Sequence, residues 1–210
     1  MVLRKLMGIF TITLLIGAAS LAMACVPDVT QCTTARAYQG AEYVVVRCLP
    51  NGAGEPFTAA VAQGGGVVDA TISVIVKDGS GTPIVAYPSE DMWLESTDGG
   101  MVPCAGGTPA DFSTDALGYT EWATPLQAGG WSFGTCAVVI NGNQVPQVLA
   151  VGFNSADLDG SLAVNLSDVQ AFASDYYSGG YVFRADLFFD GALNLTDIQK
   201  MASGYGAQCP

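Results

Sequence analysis

Polar and apolar positions alternate most cleanly in DATISVIVKDGSGTPI, residues 69–84. Thr71, Ser73, Ile75 and Lys77 fall on one side; Ile72, Val74 and Val76 fall on the other. A period of two that runs into DGSG predicts a strand followed by a turn. The same reading predicts strands in AEYVVVRC (41–48), MWLES (92–96), GYTEWATP (118–125), GGWSFGTCAVVING (129–142) and QVLAVGF (147–153), with QGGGVV (63–68) as a loop. Turn residues recur at short intervals and no helical period appears, so residues 25–153 read as a β-sandwich with an N-terminal extension. From residue 154 the pattern changes. Val169, Phe172, Ala173 and Tyr176, and again Ile198, Met201, Ala202 and Tyr205, are spaced i, i+3, i+4, i+7, which is one face of a helix made twice.

The two helices belong to an internal duplication. DLDGSLAVNLSD (157–168) and DLFFDGALNLTD (186–197) align at an offset of 29 residues, and the match extends through Gln170/Gln199, Ala173/Ala202, Ser174/Ser203 and Tyr176/Tyr205. A calcium ion takes six to eight oxygens, and a twelve-residue loop supplies them from places 1, 3, 5, 7, 9 and 12, place 7 through its carbonyl. In the first loop these places are Asp157, Asp159, Ser161, the carbonyl of Ala163, Asn165 and Asp168. In the second they are Asp186, Phe188, Asp190, the carbonyl of Ala192, Asn194 and Asp197. Each loop gathers three carboxylates that repel one another until a divalent cation cross-links them. Each also departs from the pattern: Leu162 stands at place 6, where glycine suits the backbone, and Phe188 at place 3 brings no side-chain oxygen. Asn165-Leu166-Ser167 and Asn194-Leu195-Thr196 also fit the N-glycosylation pattern, but place 9 of the loop accounts for both asparagines.

The paired loop-then-helix units, carried by VNLSD (164–168) and LNLTD (193–197) with their upstream aspartates, resemble a type I dockerin module over residues 154–210. That resemblance implies a small all-α unit that folds on calcium and docks into a cohesin on another protein. Typical dockerins present a polar partner-reading pair at places 10 and 11; here Leu166-Ser167 and Leu195-Thr196 stand there, which favours a packed role within the chain. Residues 70–141 resemble a bacterial immunoglobulin-like domain of the invasin type, through ISVIVKDGSGTPI, STDALGYTEWATP and AGGWSFGTCAVVING. That family is adhesive or structural.

Charge and cysteines place the chain. Arg4 and Lys5 precede an apolar run that ends in Ala22-Met23-Ala24, the form of a secretory signal peptide over residues 1–24. After it, Arg36, Arg47, Lys77, Arg184 and Lys200 face all nineteen acidic residues, a net charge of −14. Such a surface repels nucleic acid and anionic lipid and attracts cations. The expected location is secreted, extracellular or at the cell surface, with no membrane insertion once the signal is cut. In an exported chain the six cysteines, Cys25, Cys32, Cys48, Cys104, Cys136 and Cys209, are expected in disulfides. If all pair within the chain, one bridge joins Cys209 to the N-terminal part.

The absence of histidine removes imidazole-based catalysis and metal sites. Glu90, Asp91, Glu95 and Glu121 read as solvated carboxylates rather than a glycosidase pair, and no enzyme is expected. Trp93, Trp122 and Trp131 read as core residues before they read as a sugar-stacking platform. The sequence therefore points to a secreted, non-catalytic, calcium-stabilised structural protein. Self-assembly into an extracellular filament or surface layer is the first reading, with AEYVVVRC free to complete a neighbour's sheet. A dockerin-type adaptor for a cohesin-like partner is the alternative, and a carbohydrate-binding module is the weaker third.

Overall fold

The computed structural model describes residues 26–210; the predicted signal peptide and Cys25 lie outside the described residues. The protein is mainly β. Its strands are β1 (Thr33–Arg36), β2 (Val44–Cys48), β3 (Ala60–Ala62), β4 (Gly66–Val68), β5 (Ile72–Ile75), β6 (Met92–Ser96), β7 (Met101–Pro103), β8 (Tyr119–Trp122), β9 (Ala128–Gly130), β10 (Cys136–Ile140), β11 (Asn143–Gln144) and β12 (Val151–Ser155). Two helices follow, α1 (Leu166–Tyr176) and α2 (Leu195–Gly204). The strands form sheets ordered β1-β5-β8, β11-β10-β6, β12-β2-β3-β4 and β7-β9. Among the described residues no helix is long and apolar enough to cross a membrane.

The sheets share one apolar core. Alternation in β5 sends Ile72 and Val74 inward, with Val76 beyond, and all three are fully buried beside Trp122, Phe57, Leu94, Ile140 and Phe153. β-branched residues suit such a pleated, covered surface. The stretch 129–142 is two strands rather than one. Gly130 turns at φ +71°, and Ser132 exchanges backbone hydrogen bonds with Phe153 before β10 begins. The segment 63–68, expected as a loop, contributes β4.

Two expectations are corrected. The strand in AEYVVVRC is not free for a neighbour: β2 is wholly buried between parallel β12 and antiparallel β3, so its backbone groups are already paired. Among the six cysteines, Cys104 and Cys209 form a disulfide, whereas Cys32, Cys48 and Cys136 are buried free thiols. Cys48 and Cys136 act as small apolar residues of the core. Burial pushes the Cys48 thiol up to about 12 and raises Cys136 as well.

The C-terminal segment rests directly on the β body. Its own apolar cluster, which includes Leu158, Val164, Phe172, Leu187 and Met201, is completed by Leu49, the residue after β2. Phe188 and Phe189 also turn toward the body: Phe188 lines a cleft with Val45, Val61 and Val67, and Phe189 packs edge-on to Tyr43 and Phe133. Glu55 joins the two parts electrostatically. It pairs with Arg47 of β2 at 2.6 Å and with Lys200 of α2 at 2.5 Å. Burial alone would raise the Glu55 carboxyl, but hydrogen bonds and charge from Arg47 and Lys200 outweigh it and hold the group below its usual 4.5.

This pairing contributes stability above pH 4.5, the ordinary carboxyl value, and the contribution fades as pH falls through the lower folded value. Glu55→Gln is expected to lower unfolding free energy by about 1 kcal/mol at neutral pH. The difference from wild type should shrink on acidification, as read by chemical denaturation at stepped pH.

Candidate metal centre

The strand β12 carries the chain into the first loop. It runs parallel to β2 through Ser155, and two residues later Asp157 lies fully buried. Asp157 is held from both ends: its N–H donates to Ser155 Oγ at 3.2 Å, and its carbonyl accepts from Gly130 N–H of β9 at 2.8 Å. Its carboxylate accepts from Ser161 N–H at 3.0 Å and Leu162 N–H at 2.8 Å, which wraps the loop around it. Asp168, equally buried, accepts from Asp159 N–H at 3.3 Å and Asn165 N–H at 2.8 Å. Oxygens of Asp157, Asp159 and Asp168 lie within 4.8 Å of one another. Ser161 Oγ sits 3.3 Å from the Ala163 carbonyl, and Asn165 Nδ2 donates to that carbonyl at 3.0 Å. The three carboxylates of the first loop thus converge, with Ser161 Oγ 3.4 Å from Asp157 Oδ1, while the Asn165 amide oxygen is turned to the Ser167 N–H at 2.8 Å.

The second loop repeats the frame. Asp186 accepts from Asp190 N–H at 3.2 Å and Gly191 N–H at 2.9 Å; Asp197 accepts from Phe188 N–H at 3.0 Å and Asn194 N–H at 2.8 Å. Asp186 and Asp197 are fully buried. The side chains are less converged. Asn194 Nδ2 engages Asp190 Oδ2 at 2.9 Å and the Ala192 carbonyl at 3.2 Å. At place 3 the Phe188 ring points into the body and lies 5.8 Å from the Lys200 ammonium.

Both loops pass straight into helices. Asn165 and Asn194 cap α1 and α2, each accepting from the N–H two residues on, and Asp168 and Asp197 return the bond to the capping residue's N–H. The same carboxylate that closes the loop thus starts the helix.

Electrostatics separate the carboxyls. Burial, reinforced by the charges of Asp168 and Asp159, pushes Asp157 up to about 6 against the opposing bond from Leu162. Hydrogen bonding from Ser161 holds Asp159 below the usual range. Burial raises Asp197. The ion pairs among the described residues are Arg47–Glu55, Arg184–Asp175 and Lys200–Glu55, and none reaches the four buried aspartates. Buried charge without a counter-charge is unfavourable by several kcal/mol per ion, so oxygen-rich loops of this form fit a hard divalent cation.

Several participants carry no motif in the sequence. Tyr181 Oη donates to Asp186 at 3.0 Å. Asn154, buried in β12, donates to the Asp186 carbonyl at 2.7 Å. Gly129 backs the first loop so closely that a Cβ there would sit 1.8 Å from Asp157 Oδ2. The one signal available was the Gly-Gly pair inside a strand pattern, which marks close backbone approach.

The other candidate residues do not assemble. Glu90, Asp91 and Glu95 are exposed, and Glu121 accepts from the Tyr119 hydroxyl. Trp122 is buried, its indole N–H on the Thr108 carbonyl at 3.1 Å, while Trp131 is 36 % exposed and packs against Phe183.

No protein-family model and no curated protein matches the chain. Among solved structures it is similar to the Lin-41 filamin domain, at 11% identity over 60% of this chain and 95% of that one, with a TM-score of 0.29. At that score the likeness says nothing decisive about fold or function.

Gly129→Ala is expected to push Asp157 out of the first loop. Calcium titration by calorimetry should then show that loop weakened by at least about tenfold, with the second loop unaffected. Unchanged binding at both loops would contradict the close packing of Gly129 on Asp157.

Proposed function

We propose that this protein is a secreted, non-catalytic structural protein: an immunoglobulin-like β-sandwich carrying a dockerin-like unit, residues 154–210, that calcium organises. The observation that carries the reading is the set of four aspartates, Asp157, Asp168, Asp186 and Asp197, withdrawn from water with no cationic side chain beside them. Calcium at each loop supplies the missing charge and ties the loop to the helix it caps. Asp157, Asp159, Ser161, the Ala163 carbonyl, Asn165 and Asp168 hold the first ion. Asp186, Asp190, the Ala192 carbonyl, Asn194 and Asp197 hold the second, with water in the place that Phe188 leaves open.

The protein then associates through its helix pair, first of all with further copies of itself. α1 and α2 leave between them an apolar groove of about 500 Å³ lined by Val169, Phe172, Tyr176, Ile198, Met201 and Tyr205. A second reading, capture of a cohesin-like partner, is favoured by Leu166 and Leu195. At place 10 of each loop they are 60% and 65% exposed, although the sequence suggested that they pack within the chain. The close seating of the unit on the β body supports a structural role in both cases, because partner forces would pass through one connected body rather than a hinge.

Calcium is expected to raise the thermal midpoint of the full chain by about 5–10 °C over chelator and to increase helical circular dichroism. Asp168→Ala and Asp197→Ala should each remove part of that gain. An identical melt in calcium and chelator would overturn the reading. Size-exclusion chromatography in calcium separates the partners: polymers without any addition support self-association, and a monomer that binds a cohesin domain supports the adaptor.

A further inference from the structure

Leu162 occupies place 6 of the first loop with φ +66°, the left-handed region that side-chain-bearing residues resist. Gly191 takes the matching place in the second loop at φ +87° without that resistance. The first loop also has something that the second lacks among the described residues: a backbone partner along its middle. The Leu162 carbonyl accepts from Cys209 N–H at 3.2 Å, Val164 N–H donates to the Ala207 carbonyl at 2.7 Å, and Gly206 N–H donates to the Val164 carbonyl at 2.9 Å. Ala163 and Gln208 form an antiparallel bridge between them. Residues 206–209 thus lie as a short ribbon against residues 162–164.

The far end of that ribbon is fixed covalently. Cys209 is joined to Cys104, which follows β7, and Cys104 N–H donates to the Gln127 carbonyl just before β9. β7 pairs with β9, and β9 carries the Gly129-Gly130 floor under Asp157. The disulfide therefore fastens the ribbon to the same pair of strands that supports the loop's first ligand.

We infer that Cys104, Cys209 and the ribbon they anchor are positioning elements of the first cation loop: they hold Leu162 in the left-handed turn that a glycine would adopt unaided. The inference rests on the calcium reading above. Without the anchor only the three backbone hydrogen bonds to residues 162–164 hold the ribbon, and it opens more readily. The loop must then pay for the Leu162 turn on binding, and its affinity falls by about tenfold. The second loop, with Gly191 and no ribbon, is unaffected.

The test uses the full chain in an Asp197→Ala background, so that calorimetry with calcium reads the first loop alone. Cys104→Ser with Cys209→Ser is expected to weaken binding about tenfold, and adding Leu162→Gly to that pair is expected to restore it. Leu162→Gly in the disulfide-bonded chain should change affinity little. In calcium-free buffer, hydrogen exchange should show the Val164 and Cys209 amides protected in the bonded chain and released in the serine pair. Equal affinity with and without the disulfide overturns the inference. So does a loss that Leu162→Gly fails to rescue, which would make the disulfide a general stabiliser only. If the bonded chain with both loops intact takes up no calcium, the calcium reading itself falls, a result distinct from either of these.

Discussion

Four carboxylates buried without a positive partner are the constraint on which the C-terminal part depends. Asp157, Asp168, Asp186 and Asp197 are each fully buried. Backbone N–H groups meet their oxygens, but hydrogen bonds from neutral donors leave the net charge in place. On the proposed reading a cation resolves this, and its effect would reach beyond the loops. Asp168 and Asp197 are also the third residues of α1 and α2, bonded back to the caps Asn165 and Asn194. A cation that neutralises the loop would therefore act on the same carboxylate that starts the helix.

The β body is part of this arrangement rather than a carrier for it. β12 feeds Asp157 into place, Gly129 leaves room for its carboxylate, Asn154 holds the Asp186 carbonyl, and Leu49 enters the apolar cluster under the helices. Glu55 bridges Arg47 and Lys200 across the junction. The loops are therefore pre-shaped by packing from outside their own twelve residues. That explains how the first tolerates Leu162 and how the second turns the Phe188 ring, useless as a ligand, into a contact with Val45 and Val61.

Much of this was legible where one physical signal dominated. MWLES alternates and is β6 from Met92 to Ser96. The i, i+3, i+4, i+7 residues mark α1 and α2, and the caps follow from Asn and Asp spaced three apart. Of those eight residues only Phe172 and Met201 are buried; Val169 and Tyr176 are partly covered by the same cluster, and the pair of faces lines a groove, which the period alone does not reveal. Short strands such as β3, β4 and β7 carry three residues each, too few for a period to register. The bridge from Cys209 to the N-terminal part was expected, although the parity behind that expectation assumed that all six cysteines pair, and three of them do not. That Cys48 and Cys136 pack as apolar residues was not expected, since pattern alone does not distinguish a core thiol from half of a disulfide.

The most direct test of a cation between those carboxylates is diffraction from crystals grown with calcium, recorded where calcium scatters anomalously. The account expects an anomalous peak among Asp157, Asp159 and Asp168, ringed by oxygens at about 2.3–2.6 Å, and a second beside Asp186 and Asp197. Well-ordered loops with no anomalous density at either position, at a calcium concentration far above physiological, would contradict it.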